Sequence, residues 1–343
     1  MLPCNSTADC PSGGQYKSVG VYLFVTAALS LLVNGPCLLV LGRFSPVLLA
    51  QNPSCIPLLT LISANVGVAV GQTFAAVSAL SQQWRWGDVG CQLYAAVMLE
   101  FSTMQLVAVP FAAYDRYIVT CRPSWGHWRT RKNYQKTAVM LCFCNAIWAV
   151  SPLLGCGSYT LIPSGIFCTV DWRRTDTLYI WYLTVIFVFV FLLPFCVASA
   201  LYNSIYQYLK RMTSADVIRR EREEIDYHQQ MSVQTAWAPK NHVGKVSLMC
   251  LLTTFVAYLT FGLVYLRPFR KWPHEIELVP LMASKVAGIL NPIFHFWLNP
   301  SVWPHVRQLC CGGSGPIESQ TLIQSPKSST PPTARANPAY RTF

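Results

Sequence analysis

Seven stretches of this chain are long and apolar enough to cross a lipid bilayer, and no other feature constrains its fold as tightly. A hydrocarbon core about 30 Å thick takes roughly 20 apolar residues of helix. The runs at approximately 19–43, 54–80, 91–118, 136–157, 177–209, 244–266 and 276–298 satisfy that length. In lipid a backbone amide has no water to bond, so each run must close its own hydrogen bonds as a helix. The expected fold is an all-α membrane protein, a seven-transmembrane helix bundle. Charged residues are 12% of the 343, against about 25% in soluble domains, which argues against a soluble enzyme. Its 53% hydrophobic content argues against a disordered chain. Fourteen cysteines are too dilute for a disulfide scaffold, and many fall inside apolar runs, so most are expected to be free thiols. The first run follows a polar stretch without a basic segment before it, so no cleavable signal peptide is expected.

Charge orients the bundle. With the N-terminus outside, the cytoplasmic segments 35–53, 115–136, 210–245 and 299–343 hold 18 of the 26 Lys and Arg, while the acids divide almost evenly between the two sides. That is the positive-inside pattern. It accounts for the net charge of +12 without nucleic acid as a partner. The sequon at Asn5 fits an outside N-terminus and a glycosylated one. Residues 1–18 are therefore expected to be an extracellular segment, 19–311 the membrane domain, and 312–343 a disordered cytoplasmic tail rich in Gly, Ser, Thr and Pro. Ser325, Ser328, Ser329 and Thr330 in that tail are candidate phosphorylation sites that recruit a partner. Cys310 and Cys311 follow a short amphipathic helix after span seven, where palmitoylation and plain free thiols are equally compatible. Arg219–Glu224 in the third inner loop read as a solvated helical extension of span five more readily than as a binding patch. There is no internal repeat, phosphate-binding glycine loop or metal-ligand spacing.

Lys285 is the most informative residue. It lies in the apolar stretch Val279–Leu290, about 12 Å into the membrane from the start of its span at 1.5 Å per residue. An ammonium there costs roughly 2.5–3.5 kcal/mol. It can pair with a carboxylate, reach a wet cavity, or stop being an ammonium. A desolvated lysine loses its proton readily and can form a Schiff base with an aldehyde.

Its neighbours add a pattern. Asn291-Pro292 follow Lys285 by six residues. Asp115-Arg116-Tyr117 close span three, and Cys91 opens it. Cys168 lies in the second outer loop. Asn34, Trp148, Pro194 and Tyr202 stand in spans one, four and five. Over roughly residues 15–311 this set resembles rhodopsin-like (class A) G-protein-coupled receptors. Lys285 six residues before Asn-Pro narrows the resemblance to the animal opsins, as do the loop Ile166–Trp172 and the turn Pro152–Gly155. Tyr94 is shared with the non-visual neuropsin and retinochrome-like branches.

The resemblance implies retinal, 11-cis or all-trans, bound at Lys285. It implies a pocket of Tyr94, Met98, Leu99, Ser102 and Thr103 on span three and Phe167, Val170 and Trp172 in the outer loop. Ile186 and Phe191 on span five, Tyr258, Phe261 and Gly262 on span six, and Ser284 complete it. It also implies a Cys91–Cys168 disulfide, and G-protein coupling through Asp115, Arg116, Tyr117 and Tyr202. The partners implied are a heterotrimeric G protein, with a receptor kinase and arrestin at the tail. The location implied is the plasma membrane, multi-pass.

The chain departs from the family pattern at several points. Neither usual counterion position holds a carboxylate: one is Tyr94, the other aligns loosely with Ser164. Glu100, Asp171 and Glu277 are poorly placed substitutes, and burial without a carboxylate favours a neutral imine absorbing in the near ultraviolet. Span six reads Ala257-Tyr258-Leu259-Thr260 and lacks the helix-bending proline. His295 replaces a tyrosine, Asn65 an aspartate, and Lys240 stands where an acid would pair Arg116. Three readings compete: a light-activated receptor, a retinal photoisomerase, and a receptor for a diffusible ligand that only pairs with Lys285. The first and third are not enzymes. The intact Asp115-Arg116-Tyr117 favours the first, the altered spans six and seven the second.

Overall fold

The computed structural model describes residues 13–43, 53–162, 164–171, 174, 176–220, 249, 251–260 and 274–294, with side chains described to 211 in the fifth span and from 278 in the seventh. The chain folds as the expected helical bundle. Its helices are α1 (Gly13–Arg43), α2 (Cys55–Leu80), α3 (Gly87–Cys121), α4 (Arg131–Val150), α5 (Thr177–Ile186), α6 (Leu193–Arg220), α7 (Leu251–Thr260) and α8 (His274–Pro292). A π-helical segment, Phe187–Leu192, joins α5 to α6 into one fifth span. Five spans are long and apolar enough to cross a membrane, and α7 and α8 are the described parts of the sixth and seventh.

Local chemistry sets the ends. Helix α4 begins at Arg131, five residues before its apolar run, because the Thr130 hydroxyl accepts the Asn133 amide (3.2 Å) and caps it. The same span stops early because Pro152 cannot continue an α-helix. Ser151–Leu154 tighten into a 3-10 turn, and Gly155 ends it at φ +93°, a conformation that suits glycine. Pro194 has no N–H for the carbonyl four residues back, and the chain widens into its π turn just ahead of it. Helix α1 starts at Gly13, before the apolar run, and Tyr16 in its first turn is buried.

A short antiparallel hairpin, β1 (Tyr159–Leu161) and β2 (Cys168–Val170), lies between spans four and five, with Tyr159 opposite Val170 and Leu161 opposite Cys168. Gly165 at φ +74° turns it. It is fastened to three places. Cys91 and Cys168 form a disulfide, the Gln92 side-chain amide donates to the Tyr159 carbonyl (3.0 Å), and the Tyr16 hydroxyl donates to the Ser164 carbonyl (2.8 Å). Helix α3 is the axis of the bundle, packing on α2, α4, α6 and the hairpin. One core cluster joins α3 to α5, α6 and α7. A second, with Tyr16, Leu23, Ala76, Phe167, Leu278 and Leu281, fills the hairpin end between α1, α2 and α8.

The disulfide closes a loop of 77 residues, so removing it relaxes the unfolded chain and frees the hairpin. Replacing Cys91 and Cys168 together by serine is expected to lower stability by about 2–5 kcal/mol, read as a drop in melting temperature of the purified protein in detergent.

Candidate functional site

Below the hairpin, α3, the fifth span, α7 and α8 enclose a cavity. Helix α3 supplies one wall with Tyr94, Ala95, Met98, Leu99, Ser102, Thr103 and Leu106. These recur three or four residues apart and so share one face, running about 18 Å along the helix at 1.5 Å per residue. Phe167, Cys168, Thr169 and Val170 of the hairpin roof it. The π turn, with the residue before it, turns Ile186, Phe187, Val190 and Phe191 inward, and α7 adds Tyr258. The floor of α8 is Leu281 and Lys285. Gly71 on α2 sits directly behind the α3 wall: a Cβ there would meet the Met98 sulfur.

Lys285 is 6% exposed and opens onto this largely apolar cavity. Among the described residues no carboxylate pairs with it. The acids weighed as substitutes stand elsewhere in the fold. Glu100 faces α4, where the Cys142 thiol donates to it (3.6 Å). Asp171 closes the base of the hairpin, its amide donating to the Ser158 carbonyl (3.0 Å). Ser164 is buried with its carbonyl on Tyr16. The Glu277 side chain lies outside the described residues.

Tyr94, Met98, Leu99, Ser102, Thr103, Phe167, Val170, Ile186, Phe191, Tyr258 and Lys285, all marked from sequence, come together here. Trp172, Phe261, Gly262, Asn5, Cys310, Cys311, Lys240 and His295 lie outside the described residues. Ser284 is buried beside Lys285, and its hydroxyl turns back to the Leu281 carbonyl (3.1 Å). Leu281, one turn before Lys285 at about 3.6 residues per turn, faces the cavity with it. Leu281, Phe187 and Val190 were missed in the sequence. Helical spacing from Lys285 finds the first, whereas the other two depend on the π turn.

A polar seam runs behind the cavity. The Tyr258 hydroxyl donates to the Gln105 carbonyl oxygen. The Gln105 amide donates to Asn65 Oδ1 (2.7 Å), the Asn65 amide to Asn34 Oδ1 (2.9 Å), and the Asn34 amide to the Gly288 carbonyl on α8 (2.9 Å). Farther along, Asn291 accepts from Thr253 (3.0 Å) and donates to Thr254 (2.7 Å), tying α8 to α7.

At the far end of α3, Asp115 is buried. It accepts from the Tyr134 hydroxyl (2.8 Å) and Arg129 Nε (3.2 Å), and Arg116 lies at 3.5 Å. Arg129 also donates to Ser54 (2.8 Å). Tyr117 accepts from Arg122 (3.3 Å), and Tyr202 packs in the main core. Arg129 and Tyr134 were not singled out in the sequence. Arg129 stands in the basic inner loop that follows α3 and Tyr134 in the first turns of α4, the stretch where a partner for a buried acid would be sought.

Residues 38–295 match the family model described as 7 transmembrane receptor (rhodopsin family). Among curated relatives, the visual pigment-like receptor peropsin of Mus musculus is 25% identical over 287 residues, covering 82% of this chain and 80% of that protein. The RPE-retinal G protein-coupled receptor of Bos taurus is 30% identical over 207 residues, 59% of this chain and 68% of that one. Among solved structures, squid rhodopsin superposes with a TM-score of 0.79 at 17% identity, covering 91% of this chain and 90% of its own.

A buried lysine without a carboxylate should weigh on the ligand-free fold. Lys285→Met, which keeps the length and removes the charge, is expected to raise the melting temperature of the ligand-free protein, with a gain of up to about 2.5–3.5 kcal/mol. A lowered melting temperature would mean that Lys285 has a partner.

Proposed function

The chain belongs to the rhodopsin family of seven-transmembrane receptors, and on that premise we propose that it is a light-sensitive opsin that binds retinal on Lys285 and activates a heterotrimeric G protein. The observation that carries this reading is Lys285 itself, a buried amine without a carboxylate partner among the described residues, at one end of an apolar, aromatic-walled cavity. Lys285 would hold a polyene aldehyde covalently, and holding it so would remove the cost of an unpaired ammonium in lipid. The bound group supplies photoisomerisation. The chain supplies a long slot, an aromatic wall and the exclusion of water.

Because no carboxylate faces Lys285 among the described residues, burial would favour the neutral form of the bound nitrogen, and a near-ultraviolet pigment is expected. The receptor lies in the plasma membrane with its N-terminus and residues 1–18 outside, Asn5 glycosylated, and the tail 312–343 inside. Cys310 and Cys311, past span seven, serve as palmitoylation sites. Arg116, held by a buried Asp115 that Arg129 and Tyr134 also engage, is the contact offered to the G protein. The tail serines and threonines serve a receptor kinase and arrestin.

A second reading is a retinal photoisomerase with little signalling. It is favoured by Ala257-Tyr258-Leu259-Thr260, a sixth-span stretch without a proline to bend it.

The deciding experiment is an absorption spectrum of protein reconstituted separately with 11-cis and all-trans retinal, beside Lys285→Ala, followed by nucleotide exchange with and without illumination. A near-ultraviolet band that needs Lys285, with light-dependent exchange, is expected. No Lys285-dependent band would remove the opsin reading. A band without light-dependent exchange would favour the isomerase. A visible band would mean that a charge partner faces Lys285 after all.

A further inference from the structure

We infer that Gln105, which does not line the cavity, is a positioning residue that fixes the direction of the Tyr258 hydroxyl and thereby tunes the bound chromophore. This rests on the retinal reading above. The argument starts at the opposite end of the seam. The Asn34 amide nitrogen lies 2.8 Å from the Ser30 carbonyl and 2.9 Å from the Gly288 carbonyl. Carbonyl oxygens only accept, so the group between them must be the NH₂ of Asn34. Its Oδ1 then faces Asn65, which must present its own NH₂ (2.9 Å). Asn65 Oδ1 in turn faces Gln105, which must present its NH₂ (2.7 Å). The Gln105 carbonyl oxygen is left facing Tyr258, whose hydroxyl must donate to it. The amide orientations follow from one another, and each donor points the same way, an arrangement in which neighbouring bonds polarise one another.

Asn34, Asn65 and Gln105 are each at most 1% exposed, so bulk water cannot scramble the order. The consequence falls in the cavity. Tyr258 lines it, yet its only proton is directed away, into the seam. Ser102 on the cavity wall is the second hydrogen-bond partner of that hydroxyl, so with the phenol proton committed to Gln105 the oxygen offers lone pairs and no donor on that side. The lone-pair end of that phenol dipole, steadied by Ser102, would be a fixed partial negative charge at the cavity wall. The terminal acceptor, Gly288, stands three residues past Lys285 on α8, so the seam begins at one wall of the cavity and ends on the helix that carries the amine.

The test is a double-mutant cycle read by absorption in the retinal-loaded protein, with wild type, Tyr258→Phe, Gln105→Met and the double variant. Gln105→Met keeps the length and packing and removes the acceptor. It is expected to shift the absorption band although residue 105 does not touch the ligand. In the Tyr258→Phe background the same change is expected to move the band no further. Infrared spectra of wild type and Tyr258→Phe grown with ring-labelled tyrosine supply a measurement that needs no change at 105: a donor-type phenol C–O band that disappears in Tyr258→Phe is expected. A Lys285-dependent pigment whose band ignores Gln105→Met, shifts equally in both backgrounds, or shows Tyr258 as an acceptor only, overturns this inference and leaves the retinal reading standing. Absence of any Lys285-dependent band in wild type overturns both.

Discussion

In the middle of a bilayer a polar side chain has only other side chains and stray carbonyls to bond with, and the bundle is organised around that scarcity. Asn34 on α1, Asn65 on α2, Gln105 on α3, Tyr258 on α7 and the Gly288 carbonyl on α8 satisfy one another in sequence. Each such interhelical bond contributes modestly, about 0.6 kcal/mol on average and up to roughly 2. Their value lies in specificity. A helix rotated by one residue would strand an amide in hydrocarbon, so five helices are held in one rotational register. Asn291 does the same between α7 and α8.

Lys285 stands out because it breaks this rule. The amides of the seam are met by partners, and Asp115 has three side chains about it. The contrast between an over-supplied carboxylate at one end and an unsupplied amine in the middle divides the bundle by task. The Asp115 cluster holds the ends of α3 and α4 together with Ser54 at the start of α2. The region around Lys285 leaves a vacancy in polarity that a covalent apolar ligand resolves. The hairpin, fastened by Cys168, Tyr159 and Ser164 to α3 and α1, shuts that region from its open end.

Much of this was legible in the residues. Apolar runs of membrane length leave few folds, and a lysine twelve ångströms deep is conspicuous because its cost is large. The wall on α3 was legible through the family resemblance, with residues 94, 98 and 102 falling on one helix face. What escaped was whatever departs from that helical spacing. The π turn at Phe187–Leu192 resets the facing of span five, so Phe187 and Val190 enter the cavity against expectation. Partnerships between a loop and the helices it meets, such as Arg129 with Asp115 and Ser54, leave no periodic trace, and neither does a hairpin of two three-residue strands.

The glycine behind Met98 carries a consequence of its own. A methyl group at residue 71 would strike the Met98 sulfur, and methionine, flexible along its whole length, would yield toward the open side. The depth of the chamber is thus adjustable from its rear, through a position that no occupant ever meets. Variation there would resize what the protein accepts while every contacting residue stayed the same.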